Sequence, residues 1–344
     1  MGGNALLLKG VVSDRIPSDI YHEFVESVIS DIQRLCIVSN IALPKGFLNK
    51  ESHGDLDVLI SSSDNHRVIS ELKKYKPTYV SNGNVHSFAW DYNNKIHQVD
   101  IILCPIDTNL QESYGQKVTP IQSQMQYMTN GDCGNIIGKI CRTHNFKFSH
   151  EGLFRIVRKS EVFKDLQLKD ERKQIVAEIF ITADIKEVLS LLRLDYTKWI
   201  AGFNDMEDLT EWAYQSPFVR ITAFNLESDE DFRHADRMRC KKRNSYELMS
   251  LKEPKEVLCL REAFTLKYGG WLKNEVADHI VQYKNELEFQ KEYKSRFNGE
   301  ICSNLWNLSG KDLGNKMGSF INNYSKEFIV SKTHDEIITL IKEF

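Results

Sequence analysis

The run Gly54-Asp-Leu-Asp-Val-Leu-Ile60 constrains this chain more than any other stretch. Asp55 and Asp57 stand two residues apart at the head of an apolar, strand-like segment. Successive side chains of a strand alternate faces, so both carboxylates point the same way with Cα atoms roughly 7 Å apart. Two like charges on one face repel unless a cation lies between them. Mg²⁺, which takes oxygen ligands in octahedral geometry, is the natural counter-charge. A third acid, Asp100, sits alone in His97-Gln-Val-Asp-Ile-Ile-Leu103. A carboxylate in an apolar strand is costly without a partner. If its strand neighbours the first, three carboxylates converge and can hold two metal ions about 3.5–4 Å apart, the geometry for in-line displacement at phosphorus. For the Asp55–Asp57 pair alone, a solvated edge or turn is the plain alternative.

The loop ahead of Asp55 fits the same chemistry. Gly46 and Gly54 let backbone N–H groups come close to phosphate oxygens. Lys50 supplies a cation and Ser52 a hydroxyl donor. Read more simply, this segment is a connection between two strands.

With only 7 Pro and 18 Gly in 344 residues, long elements are favoured. Ile20, Phe24, Val28, Ile32 and Leu35 recur at helical spacing, which predicts a helix from Ser18, as N-cap, to about Val38. Strands are expected at Ile41 to Leu43 and Leu56 to Ile60, with a helix at about Asp64 to Tyr75. Val85 to Tyr92 and Ile96 to Leu103 flank Asn93-Asn94, a hairpin turn signal. Helices follow near Ile121 to Thr129 and Gly134 to His144, then strands near Leu153 to Arg158 and Gln174 to Thr182. From Asp184 onward the pattern is mostly helical: Asp184 to Leu194, Met206 to Gln215, Glu230 to Leu251 and Lys255 to Tyr268. A stripe of Leu272, Val276, Ile280, Tyr283 and Leu287 marks a long helix beyond them. The expected class is therefore α+β followed by an α-helical carboxy-terminal domain, with the boundary between residues 182 and 200.

Hydrophobic residues make up 41% and charged residues 27%, a globular composition. The net charge of -3 gives no global pull toward nucleic acid, so any polyanion site must be local. No apolar run approaches a membrane span, and Ala5 to Leu8 is too short for a signal-peptide core. Seven cysteines without a Cys-x-x-Cys pair predict a reducing, cytoplasmic compartment.

At these residues the sequence resembles the nucleotidyltransferase superfamily, and within it the family X (DNA polymerase β-like) polymerases, over about residues 41–195. That family carries Gly-Ser-Phe-Arg-Arg-Gly, then Ser-Gly-Asp-x-Asp-Val-Leu. Here the text is Gly46-Phe-Leu-Asn-Lys50, then Ser52-His-Gly-Asp-Leu-Asp-Val-Leu59. Phe47 stands where the family has Ser, and the loop is shorter. The strand around Asp100 is similar to the family's Arg-Val-Asp strand, with Gln98 in place of Arg. Tyr127-Met-Thr-Asn-Gly-Asp132-Cys-Gly-Asn135 resembles Tyr-Phe-Thr-Gly-Ser-Asp-x-x-Asn, which opens a helix on the incoming nucleotide. Lys139 falls where the family often has an Arg toward the template. Phe146 to Leu153 and Glu178 to Leu189 resemble two later family segments. The family's amino-terminal helical lyase and helix-hairpin-helix regions have no counterpart in the roughly 40 residues before Gly46.

The resemblance implies a polymerase β-like core, with a palm and thumb-like nucleotide-binding region at residues 1–195; the helical domain at 196–344 rests on helical periodicity and is not typical of the family. The resemblance also implies two Mg²⁺ ions (Mn²⁺ as a substitute) on Asp55, Asp57 and Asp100. Gly46, Lys50, Ser52, Gly54, Tyr127, Asp132 and Asn135 would meet the nucleoside triphosphate. Lys139, by the resemblance, and Arg237 and Lys241, by the basic stripe they belong to, would meet the nucleic acid, whose DNA or RNA 3′ end is the acceptor. The expected activity is transfer of a nucleoside monophosphate from a (d)NTP to that 3′-OH, releasing pyrophosphate. The segment Phe297 to Gly314 faintly resembles the tail of CCA- and poly(A)-adding enzymes, so RNA tailing is one alternative. Transfer to a small molecule or protein is another, and a non-catalytic binding module of the same fold is a third.

Arg233, Arg237 and Lys241 share a helical face, with Arg239 and Arg243 adjacent, a stripe that could neutralise phosphates. Preceded by Glu227, Asp229, Glu230 and Asp231, the same stripe also suits a helix dipole. Ser309-Gly-Lys-Asp-Leu-Gly314 reads as a turn and cap or as a helix N-terminus facing phosphate. Cys133, Cys141, His144 and His150 fit no standard zinc spacing. Tyr127 is a base-stacking candidate or a core residue.

Overall fold

The computed structural model describes residues 4–36, 38–106, 118–163, 174–220, 260, 263 and 270–344. The chain divides into two compact units, Met1–Ile156 with Glu178–Gly269, and Val157–Ala177 with Gly270–Phe344.

The first unit is organised by a five-stranded sheet in the order β2-β4-β7-β6-β5. Its strands are β2 (Asn40–Ala42), β4 (Leu56–Ser61), β5 (Tyr79–Asn82), β6 (Val85–Tyr92) and β7 (Lys95–Cys104). Strands β4 and β7 run parallel, and the other pairs run antiparallel. Asn93 and Asn94 both take positive φ, 49° and 58°, so β6 and β7 meet in the left-handed turn that suits the twist of a hairpin. Two small pairings complete the strand set. Ile16–Pro17 (β1) lies antiparallel to Ser52–His53 (β3), and β8 (Phe146–Ser149), β9 (Gly152–Arg158) and β10 (Ile175–Thr182) form a sheet in the order β10-β9-β8.

The alternation of β4 and β7 sets what lies on each face of the large sheet. Leu56, Val58 and Ile60, with Val99 and Ile101, pack against α1 (Ser18–Leu35) and α2 (Asn65–Tyr75). Phe24, Val28 and Ile32 of α1 are fully buried there, and each contributes roughly 1.5–3 kcal/mol by leaving water. The opposite face carries Leu59, Ile102 and Cys104, covered by Ile121 and Met125 of α3 (Pro120–Met128). Asp57 and Asp100 share the side of Leu59 and Ile102 by strand period.

Ser18 is the first residue of α1 and not its N-cap, which is Pro17. Its hydroxyl instead donates to the Lys50 carbonyl, a long-range bond that outweighs local capping. The helix stops at Leu35, short of Val38. Strands β5 and β8, four residues each, have no counterpart among the expected strands. Helix α4 (Cys133–Arg142) follows α3 directly. Then come α5 (Ile185–Leu191), α6 (Tyr196–Ala201) and α7 (Met206–Tyr214). The expected helices from Glu230 to Leu251 and from Lys255 to Tyr268 fall outside the described residues, apart from isolated positions.

Residues 270–344 are helical: α8 (Gly270–Arg296), α9 (Gly299–Trp306), α10 (Gly310–Asn323), α11 (Lys326–Ser331) and α12 (His334–Glu343). Phe297, Phe320, Ile329, Ile337 and Ile341 form their core. The stripe expected on α8 is buried only at Leu272; Val276, Ile280, Tyr283 and Leu287 are half-buried. Ser309 caps α10 by backbone conformation without a side-chain bond. No helix among the described residues is long and apolar enough to cross a membrane.

Candidate metal centre and nucleotide cavity

Parallel pairing of β4 with β7 sets Asp57 directly opposite Asp100. Asp55 precedes β4, and its side chain comes to the same place. One carboxylate oxygen from each of Asp55, Asp57 and Asp100 lies within 4.8 Å of the others. Among the described residues no other group of three or more His, Cys, Asp or Glu side chains is arranged to hold a metal.

The cluster crowds carboxylates together under partial burial. Burial first, then the carboxylates of Asp55 and Asp100, push Asp57 up to about 7. Lys50 acts against this from a distance and forms no ion pair with it. Asp100 is raised to about 6, chiefly by burial and also by Asp55, against the opposing pull of hydrogen bonds from Ser87 and Gln98. Three carboxylate oxygens converging within 4.8 Å of one another fit hard divalent cations such as Mg²⁺ or Mn²⁺. The residues present therefore suit the metal that the sequence resemblance implies.

A cavity of about 560 Å³ opens beside the carboxylates, wholly within the first unit. Asp55 and Asp57 line it, together with Gly46, Lys50, Gly54, Tyr127, Asp132 and Asn135 from the sequence reading. Sequence reasoning missed Arg15, Tyr21, Lys45, Phe47, His53, Gly131 and Met206, which line it as well. Three cations, Arg15, Lys45 and Lys50, thus share one cavity with the acids.

Ser52 is not in that lining. Its hydroxyl accepts from Arg15 Nε at 2.8 Å, and its carbonyl accepts from a terminal Arg15 nitrogen at 2.8 Å. Lys139 sits on α4, half-buried, and is also outside the lining. Arg237 and Lys241, with the rest of their stripe, lie outside the described residues. Cys133 and Cys141 are buried thiols, and His144 is bonded through Nε2 to the Phe218 carbonyl at 2.8 Å.

The loop over the cavity is fastened by backbone bonds on two sides. Asn130 N donates to the Lys45 carbonyl at 2.7 Å. Leu48 N and Asn49 N donate to the carbonyls of Phe203 and Asn204 at 2.9 and 3.1 Å. Those two N–H groups are committed and cannot serve phosphate. Phe47, the residue in place of the family's Ser, rests over Gly131, where an added Cβ would stand 2.7 Å from its ring. At Gly46 a Cβ would meet nothing closer than 3.9 Å, so protein packing does not demand glycine there.

One wall is aromatic. Tyr21 stacks on His53 with ring centroids 3.7 Å apart. His53 is pushed down to about 4 by burial, Lys50 and Arg15, so its ring is neutral near pH 7. Tyr21 is pushed up to about 12 by burial and the neighbouring Asp57 and Asp55. Another part of the lining is a bonded chain. Tyr127 Oη donates to Asn135 Oδ1, and Asn135 Nδ2 donates to Asp132 Oδ1, both at 3.1 Å.

No protein-family model matches the chain, and no curated protein matches its sequence. Among solved structures it resembles polymerase beta of Leishmania infantum in a ternary gap complex. Identity is 15% and the TM-score 0.34, over 54% of this chain and 70% of that one. A ternary P/T complex of the same protein matches at 14% identity and a TM-score of 0.33, over 54% and 76%. Polymerase beta is a family X nucleotidyltransferase. The structural match to it runs over about half of this chain at low identity.

Proposed function

We propose that this protein is a divalent-metal-dependent nucleotidyltransferase that adds nucleoside monophosphates from a (d)NTP to the 3′-OH of a nucleic acid. The convergence of Asp55, Asp57 and Asp100 beside a cavity lined by Arg15, Lys45 and Lys50 carries this reading.

Two Mg²⁺ ions held by the three aspartates would lower the pKa of the acceptor hydroxyl and offset the charge building on the leaving oxygens. The acceptor hydroxyl gives up its proton to solvent, its oxygen attacks the α-phosphorus, the bond from that phosphorus to the β-phosphate bridge breaks, and pyrophosphate leaves. The chain's own contribution is positioning and electrostatics. Arg15, Lys45 and Lys50 would neutralise the triphosphate, the tied-down loop would fix its place, and Tyr127, Asn135 and Asp132 would bound the nucleoside.

Primer extension with DNA and RNA primers, with and without template, using all NTPs and dNTPs in Mg²⁺ or Mn²⁺, tests the proposal. Incorporation that disappears in Asp57→Asn supports it. Incorporation by neither nucleotide set on any primer overturns it.

A further inference from the structure

We propose that Gln98 is a positioning residue that couples the amino-terminal segment to the metal ligand Asp100; this inference rests on the metal-site reading above. The argument begins with three adjacent residues of β7. Ile96 accepts at its carbonyl from Asp14 N at 2.6 Å. His97, fully buried, meets the Asp14 carbonyl through Nδ1 at 3.0 Å. Gln98, 2% exposed, accepts at Oε1 from Ala5 N at 2.9 Å and donates from Nε2 to Asp100 Oδ1 at 2.9 Å. The amino-terminal segment is thus fastened along β7 immediately before the third acid. Leu6, fully buried, anchors the far end of that fastening.

The chemistry of an amide makes the Ala5 bond decisive for Asp100. A glutamine carboxamide carries an acceptor on one end and donors on the other. The Ala5 N–H can be satisfied only by Oε1, so it forces the NH₂ end toward the carboxylate. Reversing the amide would set Oε1 against an Asp100 oxygen and the NH₂ against a donor, losing both bonds. Asp100 is then held by two neutral donors, Gln98 and the Ser87 hydroxyl. Among the described residues it has no ion-pair partner. A neutral clamp fixes the carboxylate without discharging it, so its full charge remains for a cation. Outer partners of this kind orient metal ligands and typically govern affinity by about 10–100-fold.

Two variants separate the parts of the device. Gln98→Leu removes the clamp and nearly keeps the volume. Ala5→Pro removes the N–H donor at the first position of a 3₁₀ turn, where proline is tolerated, and turns Asn4, at ψ 2°, toward extended backbone. The residue before it, Asn4, is exposed and can readjust without disturbing the core. Mn²⁺ alone is titrated into the full chain and free ion is read by electron paramagnetic resonance, with unfolding temperature in EDTA measured in parallel. Gln98→Leu should weaken Mn²⁺ binding about tenfold, and Ala5→Pro severalfold. The double variant should be no weaker than Gln98→Leu, because both act through one bond chain. In EDTA, Ala5→Pro should unfold only a few degrees below the wild type, the cost of one unsatisfied buried acceptor, whereas a purely structural role would lower stability without changing the Mn²⁺ affinity of the folded protein.

Mn²⁺ affinity within twofold of wild type in both variants overturns the coupling and leaves the metal reading standing. An effect in Gln98→Leu but none in Ala5→Pro overturns the role of the amino-terminal segment. Wild-type protein that binds no Mn²⁺ overturns the coupling and the metal reading together.

Discussion

Asp57 and Asp100 face each other as register partners across the parallel strands β4 and β7, on the side of the sheet covered further along by α3. Asp55 completes the group. Parallel pairing matters here because it aligns the two strands' carboxylates at the same level. In this sheet the register that buries Val58 against Ile101 also sets the acids side by side.

That juxtaposition predicts a pH dependence with a definite sign. Asp57 rises from an ordinary 3.8 to about 7 in the folded protein, so the fold holds its proton more tightly than the unfolded chain does. Such a group stabilises the metal-free fold at acid pH, and that contribution is lost as pH rises between those two values. The Asp57→Asn variant cannot ionise there. Metal-free Asp57→Asn should therefore unfold above the wild type at pH 8, on the order of 5 °C, with the gap closing toward pH 4. Its turnover should fall by orders of magnitude. Thermal unfolding in EDTA across pH is the measurement, and a variant less stable than wild type at pH 8 contradicts the assignment.

Gly134 gives a second prediction, again with a diagnostic sign. Gly→Ala inside a helix ordinarily stabilises by roughly 0.5–1 kcal/mol. Here the added Cβ would stand 2.2 Å from the Tyr127 carbonyl oxygen and 2.8 Å from its ring. Because the carbonyl is backbone, α3 and α4 would have to part. Gly134→Ala should destabilise by about 1–3 kcal/mol and weaken nucleotide binding by displacing Tyr127 from the cavity wall. Urea unfolding and a nucleotide titration read the two effects, and a stabilised variant contradicts the close approach.

What could be read from the sequence was local. The apolar runs around Asp57 and Asp100, and the Asn93-Asn94 turn, carry their own periodicity and turn chemistry. They give the strands and the hairpin; the meeting of the acids is conditional on β4 and β7 being neighbours, which their parallel pairing supplies. Arg15 carries no local signal. It enters the cavity because β1 pairs with β3, fixing the guanidinium on Ser52, 37 residues away. Ser18 looked like a cap because serine is a good one, yet its hydroxyl is used by Lys50. The phosphate reading of the loop rests on Gly46 and Gly54, and the ties of Leu48 and Asn49 to Phe203 and Asn204 lie between them. Such long-range bonds leave no periodic trace.

The bonded wall of Tyr127, Asn135 and Asp132 predicts a kinetic signature. Asn135 uses its oxygen for Tyr127 and one amide hydrogen for Asp132. One amide hydrogen and one oxygen lone pair remain for a base edge. Asn135→Ala removes both those groups and the restraint on Tyr127. It should raise KM for nucleotide more than it lowers kcat, the pattern of lost ground-state binding. Equal falls in kcat and kcat/KM would instead assign Asn135 a role confined to the transition state.

Arg15 supplies the sharpest test of the triphosphate subsite, because its geometry separates charge from shape. A guanidinium carries five N–H donors in a rigid plane. Nε and one terminal nitrogen spend two of them on the Ser52 hydroxyl and carbonyl. The anchored plane keeps three donors for the cavity that also holds Lys45, Lys50, Asp55 and Asp57. Arg15→Lys keeps the charge but loses the fork and the double anchor. It should raise KM for the metal–triphosphate about tenfold, with a smaller fall in kcat. Arg15→Ala should cost more, and raised salt should narrow its gap to the wild type, since salt screens the charge that alanine lacks. Ser52→Ala removes one anchor and leaves both charge and carbonyl, so it should fall between wild type and Arg15→Lys. Triphosphate affinity that is unchanged in Arg15→Ala would remove Arg15 from the subsite and leave Lys45 and Lys50 as its only described cations.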